Sequence, residues 1–298
     1  MTAQITDDAL LVVTSLNKSF GGLHVVNEVS LSIAEGEVVS IIGPNGSGKT
    51  TTLNLISGVI KADKGSVKLA GTELRSLKPH RIAEQGLTRT FQNGRVIGNL
   101  TVRDNVLVGL EAVQRTGRPF AALRAIPGIR WIPLLAETVV AIVGSPSLRR
   151  QRVADNAAVD EQIARFGERL KPRTEDFSYT LSYANRRRTE IARALISKPR
   201  LLVLDEPTAG MNQTETGEVL QQLLDLKADG QTMLLVEHKL DLVMTVSDRI
   251  IVLDNGRMIA EGTPEQIRSD PRVIEAYLGK RGGHAAPADT STDAETAS

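Results

Sequence analysis

Residues 43–50 have the sequence GPNGSGKT, which matches the pattern G-x-x-x-x-G-K-[ST] at every fixed position. The apolar run VVSII (38–42) precedes it, and the helical pattern TTLNLISG (51–58) follows it. Glycines in such a loop let backbone N–H groups approach an anion without side chains in the way, and a helix N-terminus favours negative charge. The stretch therefore predicts a strand–loop–helix unit of an α/β fold that binds the phosphates of a nucleoside triphosphate.

Within this loop the chemistry assigns separate roles to backbone and side chains. Lys49 is expected to hold the β- and γ-phosphates, and Thr50 to place its hydroxyl on Mg²⁺. The alternative, a glycine-rich turn that matches by chance, is disfavoured by the strand before it and the helix after it. The predicted ATP-binding residues of the loop are Gly43, Pro44, Asn45, Gly46, Ser47, Gly48, Lys49, Thr50 and Thr51.

A second informative segment, LLVLDEP (201–207), has the pattern of a buried parallel strand that ends in two carboxylates. Ligands of open α/β sheets bind at the carboxyl ends of the strands. We expect Asp205 to hold Mg²⁺, through water, and Glu206 to polarise the water that attacks the γ-phosphate. An acidic pair at a strand end is also a common solvated turn, so the glycine-rich loop is what favours the catalytic interpretation.

Composition excludes several classes of protein. The 298 residues carry a net charge of +1, so no overall field attracts nucleic acid, and there is no cysteine for disulfides or thiolate metal sites. The N-terminal sequence MTAQITDDALLVV lacks the basic region of a signal peptide, and no stretch reaches the roughly 18 apolar residues of a membrane span. The sequence predicts a cytoplasmic protein.

The pattern along the chain predicts strands in 10–42, mainly helices from about 79 to 197, and alternating strands and helices from 201 to 278. Residues 282–298 lack large apolar side chains and are predicted to be a disordered tail.

Three further features follow the loop in order: Gln92 in TRTFQN, the pair Leu181-Ser182 before a basic helix, and His238 after the strand TMLLV. Together with the phosphate loop and the Asp-Glu strand, this order resembles the ATP-binding cassette (ABC) family over roughly residues 10–270. The resemblance implies a nucleotide-binding domain at 10–272 with a mainly parallel core sheet and an antiparallel β edge. It also implies a helical subdomain inserted at about 87–197.

The resemblance also implies roles for single residues. Gln92 would contact Mg²⁺ or the attacking water, His238 would bond the γ-phosphate, and Phe20 would stack on adenine unless it is a plain core aromatic. Cassettes of this family work as head-to-tail dimers in which one subunit's Leu-Ser segment closes over the nucleotide of the other. Here the residues that would act on the partner's nucleotide are Ser182, Ala184 and Asn185, while Asn212 would lie in the loop that bridges the two sites.

Within the family, TRTFQNGRVIGNLTVRDNVLVG (88–109) and VEHKLDLVMTVSDRIIVLDNGRMIAEGTPEQI (236–267) are similar to the ATPases of branched-chain amino acid importers. That subgroup implies a second, different ATPase subunit, with a homodimer of this chain as the alternative. It also implies two membrane permeases and, indirectly, an extracytoplasmic binding protein, with this chain at the cytoplasmic face of the membrane as the larger ATPase. Other cargoes on the same ATPase (urea, amides or exported lipopolysaccharide), a soluble cassette that acts on ribosomes or DNA, and a catalytically dead scaffold remain alternatives. The dead-scaffold alternative is disfavoured because the residues that would carry catalysis are intact: Lys49, Asp205, Glu206 and His238.

The subgroup usually has Leu-Ser-Tyr-Gly-Gln where this chain has Leu-Ser-Tyr-Ala-Asn at 181–185. Alanine at 184 keeps its backbone N–H but adds a methyl group, and it costs about 1–2 kcal/mol if the position needs a positive φ. One hypothesis is an asymmetric dimer whose partner site is slowed by Ala184, and the other is neutral drift. The basic run Arg186 to Arg188 either adds useful charge there or forms a solvated helix face.

Residues 117–150 form an insertion with the only tryptophan of the chain, and its apolar run is interrupted by Glu137 and several prolines. The pattern is too short and broken for a membrane span. It is consistent with docking on membrane subunits, with contact to the lipid interface, or with a helical hairpin that packs on its own subdomain.

Overall fold

The computed structural model describes residues 9–90, 96–111 and 146–278. Gln92, residues 117–145 of the predicted insertion and the predicted tail 282–298 lie outside the described residues, so the interpretations placed on them stay predictions. Within the described ranges, no helix is both long and apolar enough to cross a bilayer.

The core is a six-stranded sheet in the order β10–β9–β3–β8–β7–β6. Five strands run parallel, and β10 pairs antiparallel with β9 at one edge. Every residue of the central strands β3, β7 and β8 is buried, as expected for Val/Ile/Leu runs covered on both faces. The strands are β3 Val38–Ile42, β6 Leu87–Arg89, β7 Leu201–Asp205, β8 Thr232–Val236, β9 Arg249–Asp254 and β10 Arg257–Gly262.

A second, antiparallel sheet has the order β2–β1–β4–β5. Its apolar face shares one hydrophobic cluster with the core sheet, in which Leu11 and Val67 lie with Val39 and Leu53. The predicted antiparallel part is therefore mostly a separate sheet packed on the core. Its strands are β1 Leu11–Phe20, β2 Leu23–Ile33, β4 Lys64–Leu69 and β5 Thr72–Glu73.

The helices of the described ranges surround the two sheets. They are α1 Lys49–Ile56, α2 Pro79–Glu84, α3 Val102–Glu111, α4 Pro146–Ala164, α5 Gly167–Leu170, α6 Tyr183–Leu195, α7 Gln213–Ala228, α8 Leu240–Val246, α9 Pro264–Ser269 and α10 Pro271–Leu278. Short 3₁₀ turns at Lys171–Arg173 and Ser178–Thr180 lie in the predicted loop before α6.

The helical part packs α3, α4 and α6 around a cluster that includes Val106, Val159 and Ile191. The prediction places its start near residue 87, but Leu87 pairs with Leu201 as β6, the edge strand of the core sheet. Three residues are too few for strand periodicity to be seen in a sequence, because pairing with a distant strand is what defines them. Among the described residues, the helical part begins with α3.

Candidate nucleotide site

The glycine-rich loop connects the carboxyl end of β3 to the N-terminus of α1, as predicted. Gly48 is the N-cap of α1 in a left-handed conformation (φ 98°), and no side chain caps this helix. A Cβ at Gly48 would lie 2.6 Å from the Val25 carbonyl oxygen, and one at Gly43 would lie 2.0 Å from the Leu253 carbonyl oxygen. Glycine is therefore required at both ends of the loop, and the first N–H groups of α1 remain available to an anion.

Lys49 is buried, and its Nζ donates hydrogen bonds to the carbonyl oxygens of Gly43 (2.8 Å) and Pro44 (2.9 Å). The ammonium group is thus held against the loop where the phosphates are predicted. The Ser47 hydroxyl, also buried, has no hydrogen-bond partner among the described residues. A buried polar atom without a partner is costly, and a bound phosphate would supply an acceptor.

Asp205 ends β7 and is fully buried. Its Oδ2 accepts a hydrogen bond from Arg89 Nη2 at 2.8 Å, while its Oδ1 has no partner within the part of the chain that the structure describes. Arg89 also donates to Asn54 (2.7 Å) and Ser57 (2.8 Å), so it ties α1 to β7. The orphaned carboxylate oxygen and the Thr50 hydroxyl are the hard oxygen donors that Mg²⁺ prefers, so these residues fit the predicted ion.

Glu206 and His238 meet in the structure. Glu206 Oε1 lies 2.8 Å from His238 Nε2, although the two residues follow different strands, β7 and β8. The backbone of Glu206 is left-handed (φ 49°), which is unusual for a residue with a side chain, and its N–H donates to the Val236 carbonyl at 2.8 Å. Backbone of this kind is often found at functional sites, where surrounding contacts hold it in place.

An open cavity of about 320 Å³ joins the two halves of the site. Its lining combines the phosphate loop with the Glu206–His238 pair and one residue of β2, so sequence segments nearly 200 positions apart share one space. The lining residues are Val25, Asn45, Gly46, Gly48, Lys49, Thr50, Thr51, Glu206 and His238.

Glu237 is a residue of the site that the sequence analysis missed. It is buried, and its Oε1 accepts a hydrogen bond from Thr208 N (2.8 Å), while Oε2 accepts one from His238 N (2.8 Å). The carboxylate therefore clamps the segment after β7 to the segment after β8. A glutamate at the end of a strand gives no sequence signal for this role, because its partner lies 29 residues away along the chain.

Phe20 lies at the end of β1, opposite Leu23, with 47% of its surface exposed. The alternative of a plain core aromatic is therefore wrong. Lys18 Nζ lies 5.3 Å from the centre of its ring, and Val25 of the adjoining strand lines the cavity. Stacking of Phe20 on adenine stays a prediction.

The backbone at the start of α6 does not need the glycine that the altered motif Leu-Ser-Tyr-Ala-Asn (181–185) lacks. Ser182 is the N-cap, and its Oγ accepts a hydrogen bond from Asn185 N at 3.3 Å. Ala184 lies in the first turn of the helix, not among the left-handed residues, and is 3% exposed, with its methyl group in the helical core. The suggested backbone penalty is therefore wrong, since a helical position favours alanine over glycine.

The basic run that follows is mostly buried. Arg187 and Arg188 are each 1% exposed, so a solvated helix face is the wrong interpretation for these two. Arg188 donates to Glu218 (2.7 Å) and to the Asn185 side chain (2.9 Å), and burial lowers the pKa of its guanidinium. The side chain of Asn185 is thus held inside its own subunit.

Asn212 has a clear role within its own chain. Its Oδ1 accepts a hydrogen bond from Glu215 N (2.9 Å), and the Glu215 carboxylate accepts one from Asn212 N (3.2 Å), which forms a capping box at the start of α7. Its predicted place in a bridging loop between two sites stays a prediction.

The C-terminal helix α10 reaches the phosphate loop. Tyr277 packs with the cluster that contains Ile42, the last residue of β3. Burial raises the pKa of the Tyr277 phenol, although the neighbouring Gly43 backbone acts in the opposite direction. A phenol with a raised pKa stays protonated at neutral pH.

Comparison with known proteins agrees with the motifs. Residues 26–209 match the family model described as ABC transporter, and residues 257–282 match one described as branched-chain amino acid ATP-binding cassette transporter. The high-affinity branched-chain amino acid transport ATP-binding protein BraF of Pseudomonas aeruginosa is 38% identical over 276 residues, which cover 91% of this chain and 98% of BraF. LivG of Escherichia coli K12, which has the same functional description, is 39% identical over 275 residues, with 91% of this chain and 98% of LivG covered.

Two solved structures show the same fold. The ADP conformation of MJ1267, an ATP-binding cassette of an ABC transporter, superimposes with a TM-score of 0.70 at 31% identity and covers 91% of this chain and 99% of that one. A nucleotide-free ATP-binding cassette from an ABC transporter gives a TM-score of 0.69 at 30% identity, with coverages of 90% and 98%.

Proposed function

The chain belongs to the ABC transporter family, and we propose from this membership that it is the ATP-hydrolysing subunit of an importer for branched-chain or related amino acids. The motif-based resemblance and the predicted α/β cassette fold are confirmed. The cargo is proposed because two named relatives transport branched-chain amino acids and because residues 257–282 match the model of that subgroup. The relatives match along nearly their whole length, and the residues matched by the subgroup model include α10.

The observation that carries the proposal is the Glu206–His238 pair, which faces Lys49 and the phosphate loop across one cavity. In a nucleotide held by the loop, Lys49 and the N–H groups at the start of α1 would neutralise the phosphate oxygens as charge develops on them. Glu206 would orient the attacking water and accept its proton. His238 would bond the γ-phosphate, as the family resemblance implies, and its contact with Glu206 would keep that carboxylate directed at the same group.

We propose that Mg²⁺ accompanies ATP, held by Thr50 and, through water, by Asp205 Oδ1, which has no hydrogen-bond partner among the residues that the structure describes. Gln92 would be a further ligand. When bound, the ion supplies charge neutralisation between the β- and γ-phosphates. Arg89 contributes by fixing the other oxygen of Asp205 at 2.8 Å, so that the carboxylate keeps one orientation.

The nucleotide cavity is open to its surroundings, which fits closure by a second subunit. We propose that α6 closes the partner's site, with the exposed Ser182 at its N-terminus presenting a hydroxyl and unpaired N–H groups to the partner's γ-phosphate. Two permeases, a second ATPase subunit that makes a heterodimer, and indirectly an extracytoplasmic binding protein complete the proposed assembly. This chain would lie at the cytoplasmic face of the membrane.

The substitution Glu206→Gln in the assembled transporter tests the proposal. It removes the proton acceptor but keeps the size of the side chain, so we expect ATP to bind normally while hydrolysis falls by at least about a hundredfold. ATP-bound dimers should accumulate, which size-exclusion chromatography with Mg²⁺-ATP detects.

Glu168→Gln is the matched control, because Glu168 lies on α5 outside the cavity, and its hydrolysis should equal the wild-type rate. Normal hydrolysis by the Glu206→Gln variant would contradict the assignment. A wild-type assembly that leaves ATP intact would favour the scaffold alternative.

A further inference from the structure

Arg187 makes a contact that the proposed mechanism has not used. It lies on α6 and is 1% exposed. Its Nη2 donates hydrogen bonds to the carbonyl oxygens of both Asp205 and Glu206, the latter at 2.9 Å, and its Nη1 pairs with Glu190 at 2.7 Å. One guanidinium group therefore joins α6 to the backbone that carries the catalytic carboxylate.

The position of this contact matters because of the backbone at Glu206. That residue is left-handed, a conformation that needs support from its surroundings. Its N–H is fixed by Val236, and its carbonyl is fixed by Arg187. The direction of the Glu206 side chain toward the cavity thus depends on where α6 places Arg187.

The same helix begins at the proposed contact with the partner. Ser182, the N-cap, precedes Arg187 by five positions, which is about 7.5 Å along an α-helix. A helix transmits displacement along its axis as a rigid element. A shift of the Ser182 end therefore displaces the guanidinium that holds the Asp205 and Glu206 carbonyls.

We propose that Arg187 is a positioning residue that links closure of the partner's nucleotide site to catalysis in this chain's own site. This inference rests on the proposed dimer and goes beyond it. It names the side chain of this subunit that connects Ser182, at the partner's nucleotide site, to Glu206, at this chain's own site. Engagement of Ser182 by the partner's γ-phosphate sets the position of α6, and Arg187 passes that position to Glu206. Hydrolysis in one site is thereby tied to nucleotide in the other.

The neighbouring Arg188 provides a matched control. It is equally buried and lies on the same helix, but its partners are Glu218 and Asn185, and no bond to residue 205 or 206 is seen among its contacts. Lysine at either position keeps the charge and loses the planar fork that serves several acceptors at once. Arg187→Lys and Arg188→Lys therefore each lose buried hydrogen bonds of a guanidinium group. Only Arg187→Lys changes the hydrogen bond to the Glu206 carbonyl.

The test measures ATP hydrolysis in the assembled transporter, with the second ATPase subunit's own site inactivated for hydrolysis but still able to bind ATP, so that only this chain's site contributes to the rate while the partner's γ-phosphate still engages Ser182. For Arg187→Lys we expect kcat to fall at least about tenfold while KM for Mg²⁺-ATP stays within about twofold, because the phosphate loop is untouched. Arg188→Lys should show a similar change in melting temperature and a kcat within about twofold of wild type.

A double variant separates positioning from general damage. If Arg187 acts through Glu206, adding Arg187→Lys to Glu206→Gln should not slow the residual hydrolysis further, whereas independent effects multiply. The proposal would be overturned if Arg187→Lys left kcat unchanged or raised KM as much as it lowered kcat. It would also be overturned if Arg188→Lys lowered kcat as much as Arg187→Lys does, or if the effects of Arg187→Lys and Glu206→Gln on kcat multiplied in the double variant. Glu190→Gln, which removes the counter-ion but keeps Arg187, is the second variant if Arg187→Lys fails to fold, and it should lower kcat without changing KM. The hydrolysis rate of the wild-type assembly is measured separately. If the wild-type assembly does not hydrolyse ATP, the proposed function itself is wrong, whatever the role of Arg187.

Discussion

The N-termini of α1 and α6 are the two helix ends that the proposed dimer brings to one triphosphate, and they are built differently. At α1 the cap is Gly48 in a left-handed conformation, with no side-chain cap. At α6 the cap is Ser182 with its own hydroxyl as acceptor, followed by the buried Ala184 in a regular helical turn.

The comparison of these two helix ends shows which backbone positions require glycine. At Gly48 a neighbouring carbonyl lies 2.6 Å from where a Cβ would be, and the backbone is left-handed. At Ala184 neither condition holds, so the departure from the subgroup's usual glycine is not a backbone defect. A match to a motif therefore has to be judged against the local backbone.

The largest effect is expected from Lys49→Ala at the α1 end. This variant removes the charge that is proposed to face the β- and γ-phosphates, so hydrolysis should fall at least about a hundredfold, by comparison with loss of a charged or polar donor at other transition states. A steady-state ATPase assay of the assembled transporter measures it. Lys198→Ala is the control, since Lys198 lies after α6 and outside the cavity, and its rate should be unchanged.

Gly48→Ala tests the backbone requirement itself. The left-handed backbone and the close carbonyl together should lower the free energy of unfolding by about 2–4 kcal/mol, measured by denaturant titration. Gly46→Ala is the matched control, because Gly46 is also left-handed (φ 81°) but no atom of the described residues lies within 4 Å of its added Cβ. A loss in Gly48→Ala no larger than that in Gly46→Ala would show that crowding by Val25 is unimportant.

Arg188→Gln tests the buried charge at the α6 end. It leaves Glu218 without its buried partner, and we expect a loss of about 2–3 kcal/mol in the free energy of unfolding. Arg169 binds the same Glu218 from an exposed position, so Arg169→Gln should change stability little. Equally small effects of the two variants would contradict the stabilising role given to the buried Arg188–Glu218 pair.

The smallest effect is expected from Ala184→Gly, which restores the usual residue of the subgroup. Glycine in a helical turn should lower the free energy of unfolding by about 1 kcal/mol, and ATPase activity should stay within about twofold of wild type. The assembled complex is needed for this assay, because the segment is proposed to serve the partner's nucleotide. A several-fold rise in ATPase activity would instead support the hypothesis of an impaired partner site.

Part of the site was accessible from the sequence because it depends on local pattern. The phosphate loop and the Asp205–Glu206 pair were predicted from such patterns, and His238 was predicted from the family resemblance. The structure brings the loop, Glu206 and His238 around one cavity. Glu237 and Arg89 were missed, and Arg187 was considered only as part of a basic run, without the contacts that the structure gives it. Each acts through partners that are 29, 116 and 18 to 19 positions away along the chain, and no short motif records such contacts.

The sequence by itself determined the α/β cassette, the phosphate loop and the ATPase chemistry, because glycines at fixed spacing and an acidic strand end act through their own backbone and nearest neighbours. The tertiary structure alone decided that Ala184 is buried in the helical core and that two of the three consecutive arginines are buried. It also decided that β6 belongs to the core sheet. The physical reason is that burial and pairing depend on which distant residues fold against a segment, and such long-range contacts leave no periodicity in the segment itself.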